Sequence, residues 1–172
     1  MNGVHNMMLF KKTKLSFMGL FLFLFCINST PIFSQLTIVK NRDLLFGEFY
    51  APLSGTGSVT VPNTSATGQR TTSNIILSGT GGQSAQFTIS ATGGGKARNI
   101  TNITVSVNTQ PILGSNSLSL VPSAPSETSF TLTNNSTRVI YVGGTLTVGT
   151  ITSNPSGVYT GQITINVTWN QN

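Results

Sequence analysis

From Tyr159 to Trp169 the chain places Tyr159, Ile163, Ile165, Val167 and Trp169 on one side of a two-residue repeat and Thr160, Gln162, Thr164, Asn166 and Thr168 on the other. A period of two is the spacing of side chains along a β-strand, so this run predicts a strand with one face in a core and one face in water. Shorter runs repeat the pattern at Phe87-Thr-Ile89, Ile103-Thr-Val-Ser-Val107, Phe130-Thr-Leu-Thr133 and Gly144-Thr-Leu-Thr-Val148. Turn-forming clusters separate them: Ser54–Gly57, Gly79–Gly82, Gly93–Gly95, Pro122–Pro125, Asn134–Asn135 and Asn154–Gly157. No window between them carries the three-and-four spacing of an amphipathic helix. Short strands punctuated by turns in this way predict an all-β, antiparallel sandwich of about seven to nine strands.

The first thirty-four residues do not belong to that pattern. Lys11, Lys12 and Lys14 precede an apolar stretch from Phe17 to Ile27, and small polar residues follow at Ser29, Thr30 and Ser34. This order reads as a cleaved secretory signal, residues 1–34, ahead of a single domain, residues 35–172. The apolar stretch has 11 residues, whereas crossing a bilayer takes about 20, so a lasting transmembrane anchor is not expected. Phe25 before Cys26 is too large for a lipoprotein signal. The expected location is the periplasm, the cell surface or a fimbrium, or the medium.

Composition past Ser34 agrees with the strand reading and narrows the chemistry. Thr occurs 24 times there against six Ala, two Glu, two Lys and no Met. The β-branched residues suit a pleated surface. The one His and the one Cys, His5 and Cys26, fall in the leader, so the domain has neither imidazole nor thiol. A Ser-His-Asp or Cys-His arrangement and a His/Cys zinc site are therefore excluded from it. Three carboxylates remain, Asp43, Glu48 and Glu127. Asp43 and Glu48 stand an odd number of residues apart on an expected strand, which points them to opposite faces and argues against a glycosidase pair. A non-enzymatic protein without metal or cofactor is expected.

Removing the three leader lysines lowers the net charge from +6 to 6 − 3 = +3. The remaining cations, Lys40, Arg42, Arg70, Lys96, Arg98 and Arg138, are scattered, which does not suit nucleic-acid binding.

Three landmarks carry a family resemblance: Asp43-Leu-Leu-Phe-Gly47, Tyr141-Val-Gly-Gly-Thr-Leu-Thr-Val148 and Pro155-Ser-Gly-Val-Tyr-Thr-Gly-Gln-Ile-Thr-Ile-Asn-Val167. Together they resemble the DUF4402 family of exported bacterial proteins, common in Bacteroidetes, and more distantly the spore coat protein U and archaic chaperone-usher pilin domains. The resemblance implies an immunoglobulin-like, pilin-like sandwich at the bacterial surface, acting as a fimbrial or adhesin-type structural subunit with a periplasmic chaperone and further pilus subunits as partners. The chain departs from coat-U-type pilins in lacking a cysteine pair and in having a short N-terminal extension.

An open edge beside the last strand would invite pairing. The acceptor is then expected along Tyr159, Ile163, Ile165, Val167 and Trp169. The donor is the alternating segment Leu36-Thr-Ile-Val-Lys40, with Leu36, Ile38 and Lys40 on one face. The competing expectation is that residues 36 to 50 form the first strand of their own domain. A second functional reading is a glycan-binding module using Tyr50, Arg70, Lys96, Arg98 and Tyr141 as surface contacts.

Overall fold

The structure is a computed structural model that describes residues 35–93, 100–109 and 118–171, with 100–109 and 171 described by their backbone. Among the described residues there are twelve strands: β1 (Gln35–Arg42), β2 (Glu48–Tyr50), β3 (Gly57–Val61), β4 (Thr71–Ser73), β5 (Ile76–Ser78), β6 (Ala85–Thr92), β7 (Ile100–Thr109), β8 (Leu118–Pro122), β9 (Ser129–Leu132), β10 (Thr137–Val142), β11 (Gly144–Val148) and β12 (Ile163–Gln171). Three of them, β2, β4 and β5, are three residues long, which leaves 12 − 3 = 9 of ordinary length. Every pairing is antiparallel.

The alternation predicts which residues meet. One sheet has the order β1-β6-β10 and another the order β12-β7-β9. Ile89, Ala91 and Ile140 of the first sheet form a buried cluster with Leu132 of the second, and Leu36, Phe130, Ile165 and Val167 pack against it. Ala85, Phe87 and Val142 form a second cluster that takes in Leu44, Ile163 and Ile165. The two sheets therefore face each other across one apolar layer, the arrangement of a β-sandwich. The turn Thr133–Ser136 links β9 to β10 with Asn135 at φ 59°, a left-handed conformation that asparagine tolerates. Arg138 of β10 lies 5.7 Å from the Phe130 ring of β9 and pairs with Glu127 at 3.5 Å. These contacts set β9 opposite β10, so the other two edges, β12 and β1, face each other on the opposite side.

A four-stranded sheet, β4-β3-β11-β8, continues from β10 through Gly143 into β11. Val59, Val61, Leu146 and Val148 are its buried side, whereas Ser58, Thr60, Thr145 and Thr147 line the other, with the Thr60 and Thr145 hydroxyls 2.9 Å apart. Two serines bind the strand crossing. Ser123 N–H donates to the Gly143 carbonyl while Gly143 N–H donates to Ser123 Oγ, both at 3.0 Å. Ser126 and Tyr141 repeat this reciprocal pairing at 2.8 and 2.9 Å.

At the crossing the backbones touch. A Cβ on Gly143 would stand 2.1 Å from the Val61 carbonyl oxygen and 2.6 Å from the Pro62 carbonyl carbon, and neither can move without breaking the ladder. Gly143→Ala is expected to cost about 3 kcal/mol, the upper end of ordinary overpacking. Gly157→Ala, where the nearest atom is 4.0 Å away, should change stability by less than about 0.5 kcal/mol. Urea denaturation of the two variants measures the contrast, and equal midpoints would show that the crossing relaxes.

Candidate functional site

The facing edges β1 and β12 define the candidate site. Among the described residues β1 pairs with β6 alone and β12 with β7 alone, so each presents an outer row of backbone N–H and C=O groups.

Register sets which side chains stand in the seam. Leu36, Ile38 and Lys40 lie opposite Ala91, Ile89 and Phe87, so all three point to the core face of their sheet. Leu36 is half-buried, but Ile38 keeps 40% of its surface exposed while Ile89 beside it keeps none. Lys40 turns its ammonium out to Asp43 Oδ1 at 2.7 Å, with both partners exposed. On β12 the inward residues Ile163, Ile165 and Val167 are half-buried, although they pack on the two core clusters, and Thr164, Asn166 and Thr168 are exposed. Trp169 falls in the register shift between Thr168 and Asn170 and is 42% exposed. Among the described residues, apolar side chains aimed at a core are left part-covered along this side of the sandwich.

The ends of β1 are held differently. At its C-terminal end Arg42, past a bulge, donates from Nε to the Ser84 carbonyl at 3.0 Å and from Nη2 to Ser84 Oγ at 3.2 Å. Buried Ser84 donates its hydroxyl to the Thr64 carbonyl at 2.6 Å, and the Arg42 guanidinium lies 5.9 Å from the Tyr141 ring. Residues 35–39 are tied by the β6 ladder, the Leu36 contact and a Thr92 hydroxyl bond to the Gln35 carbonyl at 3.4 Å. β1 is thus pinned at one end and zipped along the rest.

The alternating run from Tyr159 does not enter β12 as one strand. β12 begins at Ile163, and Tyr159 donates its hydroxyl to the Pro155 carbonyl at 2.5 Å, closing the preceding loop on itself. The expected acceptor face therefore comes from Ile163, Ile165 and Val167, with Trp169 displaced by the bulge.

The surface contacts considered for a ligand separate. Tyr50 is exposed on β2 opposite Ile76. Arg70 stands at the base of the same ribbon with its guanidinium on backbone carbonyls. Tyr141 is half-buried beneath Arg42, and Lys96 and Arg98 lie outside the described residues. Of the carboxylates, Asp43 pairs with Lys40 and Glu127 with Arg138, while Glu48 stands on β2; among the described residues no three metal-ligating side chains cluster. The Arg42–Ser84–Thr64 relay and the Ser123 and Ser126 pairings escape sequence reasoning, because their partners are defined only by strand order.

Fold and site together define a class: an antiparallel β-sandwich in which, among the described residues, the edges β1 and β12 are each paired on one side only. Within that class the chain belongs to the family described as domain of unknown function DUF4402, whose match covers residues 36–169. That match takes in β1 and reaches the Trp169 bulge. No curated protein and no solved structure matches the chain.

Proposed function

We propose that this is an exported, non-enzymatic structural subunit of the bacterial surface that joins to further copies of itself by strand addition at the β1–β12 seam. The seam is the observation that carries the reading: inward-facing Ile38 and the half-buried row Ile163, Ile165 and Val167 border two strand edges that have no partner among the described residues. An extended segment with alternating apolar residues satisfies both, its main chain adding to a ladder and its side chains filling the part-covered core. The segment Leu36–Lys40 has that alternation, and once its ladder with β6 is released it would stay held at one end by Arg42 and could reach a neighbour. A contact between unlike surfaces on successive copies propagates as a filament rather than closing a pair. The leader-like residues 1–34 and the scarcity of proton-handling side chains past them support the compartment and the absence of catalysis.

A peptide with the sequence of Gln35–Arg42 tests the reading in trans. Added in excess to the purified protein, it is expected to stop growth of the assemblies seen by light scattering and electron microscopy. A peptide of the same composition with the alternation scrambled should leave growth intact. Assembly indifferent to both peptides would remove the donor role from β1. A strictly monomeric protein that binds on a glycan array would instead favour a ligand-binding module.

A further inference from the structure

Arg70 meets four carbonyl oxygens and no carboxylate. Its Nη1 donates to the carbonyls of Phe46 at 2.7 Å and Glu48 at 3.1 Å, and its Nη2 to those of Gly79 at 2.8 Å and, more weakly, Ser78 at 3.5 Å. These carbonyls come from both sides of the β2–β5 ribbon, at the end where Glu48 pairs with Ser78. Among the described residues the ion pairs are Lys40–Asp43 and Arg138–Glu127, so the guanidinium charge is met here by backbone dipoles. Such charge-assisted bonds are stronger than neutral ones.

Glycine backbone borders this cage. A Cβ on Gly47 would stand 2.3 Å from Arg70 Nη1 and 3.0 Å from the Gly81 Cα, and a Cβ on Gly82 would stand 3.2 Å from the Arg70 Cβ and Cδ. Gly47 and Gly82 also have φ of 73° and 98°, where side-chain-bearing residues are strained. Gly68 N–H fixes the approach by donating to the Gly82 carbonyl at 2.6 Å. Beyond the cage the ribbon is also tied just before β5, where Asn74 Nδ2 donates to the Ser54 and Thr56 carbonyls at 3.2 and 3.1 Å. It is three residues wide on each strand, Tyr50 and Ile76 are 61% and 72% exposed, and an isolated two-stranded ribbon is marginal in water.

We propose that the base of the ribbon is a guanidinium-binding site, a set of carbonyl oxygens arranged around a planar cation, which the chain fills with its own Arg70. Occupancy of that site keeps β2 and β5 folded as a projection carrying the exposed Tyr50–Ile76 pair. The site is independent of the seam, and its test does not depend on assembly.

The test compares amide hydrogen exchange in the protein as the cell processes it with that in Arg70→Ala and Arg70→Lys. In Arg70→Ala the amides of Glu48–Tyr50 and Ile76–Ser78 are expected to exchange on the order of a hundredfold faster, while β6 and β11 keep their protection. Guanidinium at millimolar, non-denaturing concentration should restore much of the loss, whereas the same concentration of sodium chloride should not. Arg70→Lys, a point cation that cannot span the fork of carbonyls, should show a smaller loss and no rescue. Unchanged ribbon exchange in Arg70→Ala would overturn the proposal. So would faster exchange spread evenly into β6 and β11, or a rescue that either salt provides equally or neither provides.

Discussion

Deleting Gln35–Lys40 is expected to lower the melting temperature of the isolated subunit by roughly 10 °C or more and to abolish its assembly. The deletion removes the ladder from Gln35–Thr92 to Lys40–Phe87, withdraws Leu36 from the core cluster and turns β6 into an edge over fully buried Ile89. Burying an aliphatic side chain is worth about 1.5–3 kcal/mol, and Leu36 and Ile38 are both incompletely covered, so the apolar loss alone is about 3 kcal/mol. Ladder bonds that leave β6 groups poorly paired add to it. In a domain of this size each kcal/mol moves the midpoint by roughly 2–5 °C. The peptide Gln35–Arg42 should restore the midpoint with a dependence on its concentration, since a ligand of the folded state stabilises by mass action. Differential scanning calorimetry gives the first result and electron microscopy the second. Unchanged melting together with intact polymers would refute the role of β1 in assembly. A lowered midpoint with intact polymers would leave β1 as nothing more than the first strand of its own domain.

How much of this was legible in the sequence depends on how many consecutive residues carry each signal. Phe87–Ile89, Ile103–Val107, Phe130–Leu132 and Gly144–Val148 announce β6, β7, β9 and β11 because alternation survives over several positions. The ribbon strands β2 and β5 and the edge strand β4 have three residues each, too few for a period to show, and their existence rests on partners 26 to 30 positions away at Glu48–Ser78 and Tyr50–Ile76, and on β3 for β4. The start of β12 was misplaced for a related reason. Tyr159 continues the apolar parity of Ile163, but Gly161 interrupts the side chains between them and the Tyr159 hydroxyl finds a partner at Pro155. Arg70 is the clearest loss. In the sequence it is a lone cation in a polar stretch, and its cage is assembled from carbonyls, which every residue has and which no composition reveals. The glycines at Gly79–Gly82 were readable as a turn. That Gly81 and Gly82 also clear space beside Gly47 and Arg70 follows only once the two segments are side by side.

The seam makes a second quantitative demand, on two isoleucines of the same sandwich. Ile89 sits on the middle strand of its sheet, keeps none of its surface exposed and belongs to the buried cluster with Ala91, Leu132 and Ile140. Ile165 packs on both clusters from edge strand β12 and is half-buried. Ile89→Ala in the isolated subunit is expected to cost about 4 kcal/mol, because the cavity left by a fully enclosed side chain cannot collapse. Ile165→Ala should cost about 1–2 kcal/mol, because part of its surface faces water already and the transfer term shrinks with it. Assembly should change the ranking. Once a neighbour's strand covers β12, Ile165 becomes enclosed on both sides, so its truncation weakens assembled protein by about as much as Ile89→Ala does, while the cost at Ile89 stays where it was. Guanidinium denaturation of isolated and assembled material, each with both variants, separates the two cases. If Ile165→Ala already costs as much as Ile89→Ala in the isolated subunit, the face of β12 is covered from within the chain, there is no open seam, and strand addition has no place to act.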